Sequence, residues 1–158
     1  GPMGAVSQIY CSDLVRTKEM GAALSAFLRV PLDSDSRLRE LHFGDWEKRT
    51  WKSIEGVDSD SFANLVRDPI NESPPGGESF RTLSERVQAW RNETSIRHSQ
   101  DSICVVTHSG VVRALLADAL GLPLENASRI RVDHLSMSEI IYFPDKPPIV
   151  ARINSQPV

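Results

Sequence analysis

A histidine sits at the junction of two runs in Val105-Val106-Thr107-His108-Ser109-Gly110-Val111-Val112-Arg113. The residues before it are β-branched and strand-like, and those after it read as a helix. An imidazole at such a junction can donate to a phosphoryl oxygen or carry a proton. The backbone N–H groups of Ser109 and Gly110 would emerge from a helix N-terminus, which suits an anion. A histidine that only caps a helix fits the local pattern equally well. A second junction is Cys11-Ser12-Asp13-Leu14-Val15-Arg16-Thr17, which places Arg16 in the first turn of a helix. Cations are favoured at helix C-termini, so an arginine here calls for a carboxylate or a bound anion. Its planar fork matches phosphate, although taken alone an ordinary surface arginine accounts for it better. The third stretch is Arg37-Leu38-Arg39-Glu40-Leu41-His42-Phe43-Gly44-Asp45-Trp46-Glu47. Apolar neighbours on both sides of Glu40 suggest a desolvated carboxyl able to act as an acid. A salt bridge to an adjacent arginine accounts for it as well. His42 alternates with Leu41 and Phe43 and is expected to face solvent. Pro74-Pro75-Gly76-Gly77-Glu78-Ser79-Phe80 is a rigid-then-flexible loop, either a cover for a site or a plain connection.

These residues need a scaffold, and the alternation of strands and helices supplies an α/β layered one. Ser7–Cys11 reads as a short strand. Ser12-Asp13 is positioned to cap a helix with Met20, Leu24, Phe27 and Leu28 along one stripe, ended by Pro31. Residues 37–46 read as extended, with a turn at Gly44-Asp45. Residues 52–67 read as one or two short helices broken near Gly56-Val57-Asp58. Ser79 caps a long helix with Phe80, Leu83, Val87 and Trp90 on one face. Ile103–Thr107 is expected to be a buried central strand. Ser109 is expected to cap a helix running to Leu120, with Val112, Leu115, Leu116 and Ala119 inside and Gly121 and Pro123 as its stop. Met137–Phe143 and Ile149–Ile153 form an antiparallel pair.

Composition bounds the rest. The 158 residues suit one domain, with Gly1–Gly4 read as a cloning remnant and 5–158 as the domain. Net charge is −3, without a basic stripe, so neither nucleic acid nor an anionic membrane is an expected partner. No apolar run reaches membrane-spanning length. The two cysteines, Cys11 and Cys104, lie in strand-like runs and read as buried free thiols in a reducing cytoplasm. Their spacing with the four histidines matches no compact metal motif.

Taken in order, Ser-Asp-Leu-x-Arg-Thr, Leu-Arg-Glu-x-x-Phe-Gly-x-Trp-Glu, Pro-Pro-Gly-Gly-Glu-Ser-Phe and Val-Thr-His-Ser-Gly-Val-x-Arg resemble the histidine phosphatase superfamily. Within it they look closest to the branch of α-ribazole and broad-specificity phosphatases. The resemblance covers nearly the whole chain. It implies a phosphoglycerate mutase-like three-layer α/β/α fold with a mostly parallel sheet. A pocket for a small phosphorylated molecule or inorganic phosphate would lie at the carboxyl ends of the strands, with no metal or organic cofactor. Arg16 would bind the phosphoryl group, Glu40 would act as proton donor and then base, and His108 would stabilise the phosphoryl oxygens.

One element of the resemblance is missing. The family opens on a strand ending in Arg-His-Gly, whose histidine becomes phosphorylated, and this sequence contains no such tripeptide. His98 is expected to be exposed after a helix, and His134 to lie just ahead of the terminal strands, so neither fills that role. The expectation is a phosphate pocket without conventional phosphatase chemistry, serving binding, structure or another reaction. The alternative is a phosphomonoester phosphatase or mutase whose Arg-His-Gly segment is truncated or supplied in trans. Without that first strand, Ile103–Thr107 has an unpartnered edge. The sequence therefore predicts a homo-oligomer, a partner chain on that edge, or closure by the 137–143 strand.

Overall fold

Strand β1 (Val6–Cys11) lies between two parallel neighbours in the computed structural model, which describes residues 5–156. The reading of residues 1–4 as a cloning remnant falls outside the described residues. On one side β1 pairs with β2 (Leu32–Ser34), and on the other with β3 (Ser102–Val106), in the register Ile9 to Cys104 and Cys11 to Val106. Strands β4 (Met137–Ile141) and β5 (Ile149–Ser155) form a separate antiparallel pair. β2 is a strand the sequence reading omitted. Only three residues long, it lies too close to Pro31 to show a period.

The sheet is covered on both faces. Successive β1 side chains alternate: Cys11 meets Gly21 of α1 (Val15–Leu28), while Tyr10 joins the core of α4 (Phe80–Arg97) and α5 (Ser109–Ala119). That core holds Leu38, Leu83, Val87, Trp90, Val111 and Ala114. The expected three-layer α/β/α arrangement is therefore present. The predicted stripe on α1 is not its inner face. Phe27 is 82% exposed, and the helix buries Thr17 and Gly21 instead. Close approach explains this, because a Cβ at Gly21 would meet Leu32 Cδ1 at 3.0 Å and Cys11 Cβ at 3.3 Å. α5 is similarly offset, burying Val111 and Ala114 along with Leu116 and Ala119.

Ser79 caps α4 as expected, its hydroxyl accepting from Thr82 N at 3.1 Å. The short helices are α2 (Trp51–Val57) and α3 (Ser59–Arg67), separated at Asp58 as expected. Residues 37–46 are less extended than predicted, with single 3₁₀ turns at Ser36–Leu38 and Gly44–Trp46. Asp35 starts the first turn by accepting from Arg37 N.

β3 is only half-buried along its length, not buried as expected. Among the described residues it pairs with β1 alone, so its second edge is free. Cys104 is correspondingly half-buried, whereas Cys11 is fully buried. Closure of that edge by the 137–143 strand does not occur, because β4 pairs with β5. No helix among the described residues is long and apolar enough to cross a membrane.

Candidate active site

The ends of β1 and β3 point the same way because the strands are parallel, so the segments that follow them meet. After β3 the chain passes through Thr107, whose hydroxyl donates to Leu38 O at 2.8 Å, to His108 at the N-cap of α5. The cap is His108, with extended backbone, and Ser109 is the first helical residue. After β1 the chain turns at Ser12 and Asp13 into α1, whose N-cap is Leu14 and not the predicted Ser12-Asp13 pair. Ser12 Oγ is occupied elsewhere: it lies 2.8 Å from His108 Nε2.

Arg16, Glu40 and His108 are brought together. Arg16 Nη2 is 3.1 Å from His108 Nδ1. Glu40 Oε2 accepts from Ser109 Oγ and from Gly110 N, each at 3.3 Å, and Oε1 accepts from Leu41 N at 2.9 Å. The carboxylate thus takes the position that an anion favours at a helix N-terminus. Ser109 and Gly110, expected to hold phosphate, hold Glu40 here. Gly110 is required for this contact, since a Cβ would overlap Glu40 Oε1.

A salt bridge from Glu40 to a neighbouring arginine does not form. Arg37 pairs with Asp35 at 2.7 Å and with Glu93 at 3.0 Å, and Arg39 pairs with Asp13 at 2.6 Å. The arginine near Glu40 is one the sequence reading missed. Arg86 on α4 donates to Glu40 O at 3.3 Å and to Arg37 O at 2.6 Å, and it pairs with Glu78. Glu78 also bridges by two routes to the Glu40 stretch: its N donates to His42 O at 2.9 Å, and its carboxylate accepts from His42 N at 3.1 Å. The Pro74–Phe80 loop is therefore a clamp on the segment bearing Glu40, between the two 3₁₀ turns. Asp45 N donating to Pro75 O at 2.8 Å extends the clamp. Gly44 and Gly77 lie so close to the opposite backbone that any side chain would collide with it.

His108 is 8% exposed. Burial pushes its pKa below the ordinary 6.5; the Arg16 guanidinium, and more weakly that of Arg86, adds to this, while Glu40 opposes it. The neutral imidazole is thus favoured. Of the other histidines, His42 and His134 are exposed. His98 is not exposed as expected but held between Tyr10 Oη at 2.8 Å and Asp101 Oδ2 at 3.2 Å. Arg16 offers a cation, Glu40 a carboxyl and His108 a neutral ring. Together they can bind a phosphoryl group, shuttle a proton to a leaving oxygen and orient the phosphoryl oxygens.

Comparison with known proteins gives a consistent neighbourhood. The description "Histidine phosphatase superfamily (branch 1)" matches residues 3–155. The adenosylcobalamin/α-ribazole phosphatase of Escherichia coli is 30% identical over 132 residues, covering 84% of this chain and 65% of that protein. A Shigella boydii protein described as "Probable phosphoglycerate mutase GpmB" is 31% identical over 137 residues, covering 87% of this chain and 64% of that one. This chain therefore spans just under two thirds of the length of these relatives. The crystal structure of the α-ribazole phosphatase from Shigella flexneri superposes with a TM-score of 0.85 at 27% identity, covering 96% of this chain and 76% of that one.

Proposed function

The chain belongs to the histidine phosphatase superfamily, and from that premise we propose that its pocket receives the phosphoryl group of a small phosphate monoester. The observation that carries this is the convergence of Arg16, Glu40 and His108 beyond the ends of β1 and β3. In this reading Arg16 binds the phosphoryl oxygens and Glu40 gives the leaving oxygen its proton. His108 donates to a phosphoryl oxygen as charge develops there. The class of reaction is phosphomonoester hydrolysis or phosphoryl transfer of the α-ribazole phosphatase kind. Relatives described as a phosphatase and as a "Probable phosphoglycerate mutase" favour this over ligand binding without catalysis.

Phosphoryl transfer through a phosphohistidine needs a nucleophilic ring besides His108. The free edge of β3 lies beside the pocket and is where a strand carrying that ring would pair, from this polypeptide or from another. The test is hydrolysis of an aryl phosphate by the protein joined at its N-terminal side to a strand ending in Arg-His-Gly, or mixed with that segment. Turnover should appear, fall by about 10²–10³-fold in Arg16→Ala, and fall comparably in Glu40→Gln. No turnover over a range of such segments would contradict the catalytic reading and leave a phosphate-binding role.

A further inference from the structure

Behind His108, on the side away from Arg16, lies a buried pair of hydroxyls. Ser12 is fully buried and Thr17 is 4% exposed, so no water competes for them. Ser12 Oγ lies 2.8 Å from His108 Nε2 and makes a short hydrogen bond with Thr17 Oγ1. Thr17 Oγ1 in turn donates to a carbonyl, that of Leu14 at 2.9 Å or Ser12 at 3.1 Å. Ser12 Oγ also accepts from Leu14 N at 3.3 Å.

The direction of this chain follows from its two ends. At one end a guanidinium can only donate, so Nδ1 accepts from Arg16 and the neutral ring carries its proton on Nε2. At the other end a main-chain carbonyl can only accept, so the Thr17 hydroxyl spends its proton there. Thr17 is then left to accept from Ser12, which accepts from His108 Nε2–H. Every proton is placed: His108 Nε2–H to Ser12, Ser12 O–H to Thr17, Thr17 O–H to carbonyl.

We propose that Ser12 and Thr17 are positioning residues that hold His108 as the Nε2–H tautomer, so that Nδ1 meets the phosphoryl group as a proton acceptor. The consequence rests on the phosphate-pocket reading above. A monoanionic phosphate monoester transfers its acidic proton to Nδ1, leaving a dianion beside an imidazolium that now donates Nδ1–H to it. A dianion reaches the same state by taking one proton from solvent onto Nδ1. Binding is therefore coupled to protonation of His108, in a ring faced by Arg16 from α1, Arg86 from α4 and Glu40. Burial favours the neutral ring before phosphate arrives, so Nδ1 is unprotonated, and it takes that proton once Arg16 turns from it to the phosphoryl oxygens.

Two measurements test this. Nitrogen-15 NMR of the phosphate-free protein at neutral pH should show His108 with a protonated Nε2 and a bare Nδ1; the opposite tautomer overturns the proposal without recourse to any variant. Calorimetric titration with inorganic phosphate in two buffers of different ionisation enthalpy should show proton uptake by the protein at pH 8. In Thr17→Val the buried Ser12 hydroxyl loses its acceptor, which weakens its hold on Nε2–H, while Arg16 still donates to Nδ1. The phosphate-free tautomer should persist, the proton uptake shrink and phosphate affinity fall about 3- to 10-fold, while Thr17→Ser restores uptake and affinity. Unchanged uptake and affinity in Thr17→Val overturn the relay. Phosphate that fails to bind the wild type overturns the pocket reading, and with it the coupling, but does not alter the tautomer result.

Discussion

Glu40 brings a negative charge to the place where a phosphate would bind, and its Oε2 takes the Ser109 and Gly110 donors that an anion would use. Removing that charge should separate binding from chemistry. Glu40→Gln is expected to bind inorganic phosphate about 3- to 10-fold more tightly, because a nearby like charge is lost in a partly screened site. Calorimetry of the two proteins checks this, and an unchanged or weaker affinity would place Glu40 outside the pocket. His108 gives a second prediction. Its folded pKa lies below the ordinary 6.5, so between the two values the unfolded chain binds more protons than the folded one. Stability should therefore be full above pH 6.5 and decline as the pH falls through the folded value. His108→Gln should flatten the melting temperature across that window. The lowered carboxyls of Asp13 and Asp35, held down by Arg39 and Arg37, act only at more acid pH. At this scale the meeting of Arg16, Glu40 and His108 was legible only from the four motifs taken in order, because locally a surface arginine, a salt bridge and a helix cap account for them as well or better. Ser12, Thr17 and Arg86 were not legible. Ser12 and His108 are 96 positions apart, and a serine beside an aspartate reads locally as a helix cap. Arg86 is one arginine among several on α4, and nothing in the sequence marks its carbonyl partners.

The elements show where periodicity was a sound guide and where it was not. α4 buries the face that its period predicts, since Leu83, Val87 and Trp90 are all inside. α1 does not, because contact with β1 and β2 is made through a glycine and not through the large side chains. The helix rests close on the sheet, and that closeness cannot be read from a hydrophobic stripe. Two substitutions distinguish these readings. Phe27→Ser, on the predicted stripe, should change stability by no more than about 0.5 kcal/mol. Gly21→Val should cost about 1–3 kcal/mol through overpacking against Cys11 and Leu32. Urea denaturation of both checks the order, and a larger loss in Phe27→Ser would mean that this face of α1 is covered in solution. The Pro74–Phe80 loop reads in the sequence as a cover for a site or a plain connection, and neither is the clamp that it forms. Its function depends on Gly44 and Gly77 meeting across a long sequence gap.

For the whole molecule, the three-layer class and the order of the motifs were readable, because four short stretches recur together. The break between β3 and β4 was foreseen as an unpaired edge, but its consequence was not fixed by sequence: the 137–143 strand keeps its own partner. We propose that the free edge of β3 pairs with a further strand, from this polypeptide, a second copy or a partner chain. A proline at Val105 in Val105→Pro removes an N–H from β3 and disrupts its bonding. If copies pair through that edge, native mass spectrometry should show a species larger than 17.6 kDa for the wild type and a monomer for the variant. A wild-type monomer at high concentration would rule out self-pairing. The account depends most on the anion cradle, and calorimetric titration of the wild type and Arg16→Ala with inorganic phosphate tests it most directly. One-site binding weakened about tenfold or more in the variant is the predicted result. Equal affinity in the two proteins, or no binding to the wild type, would contradict it.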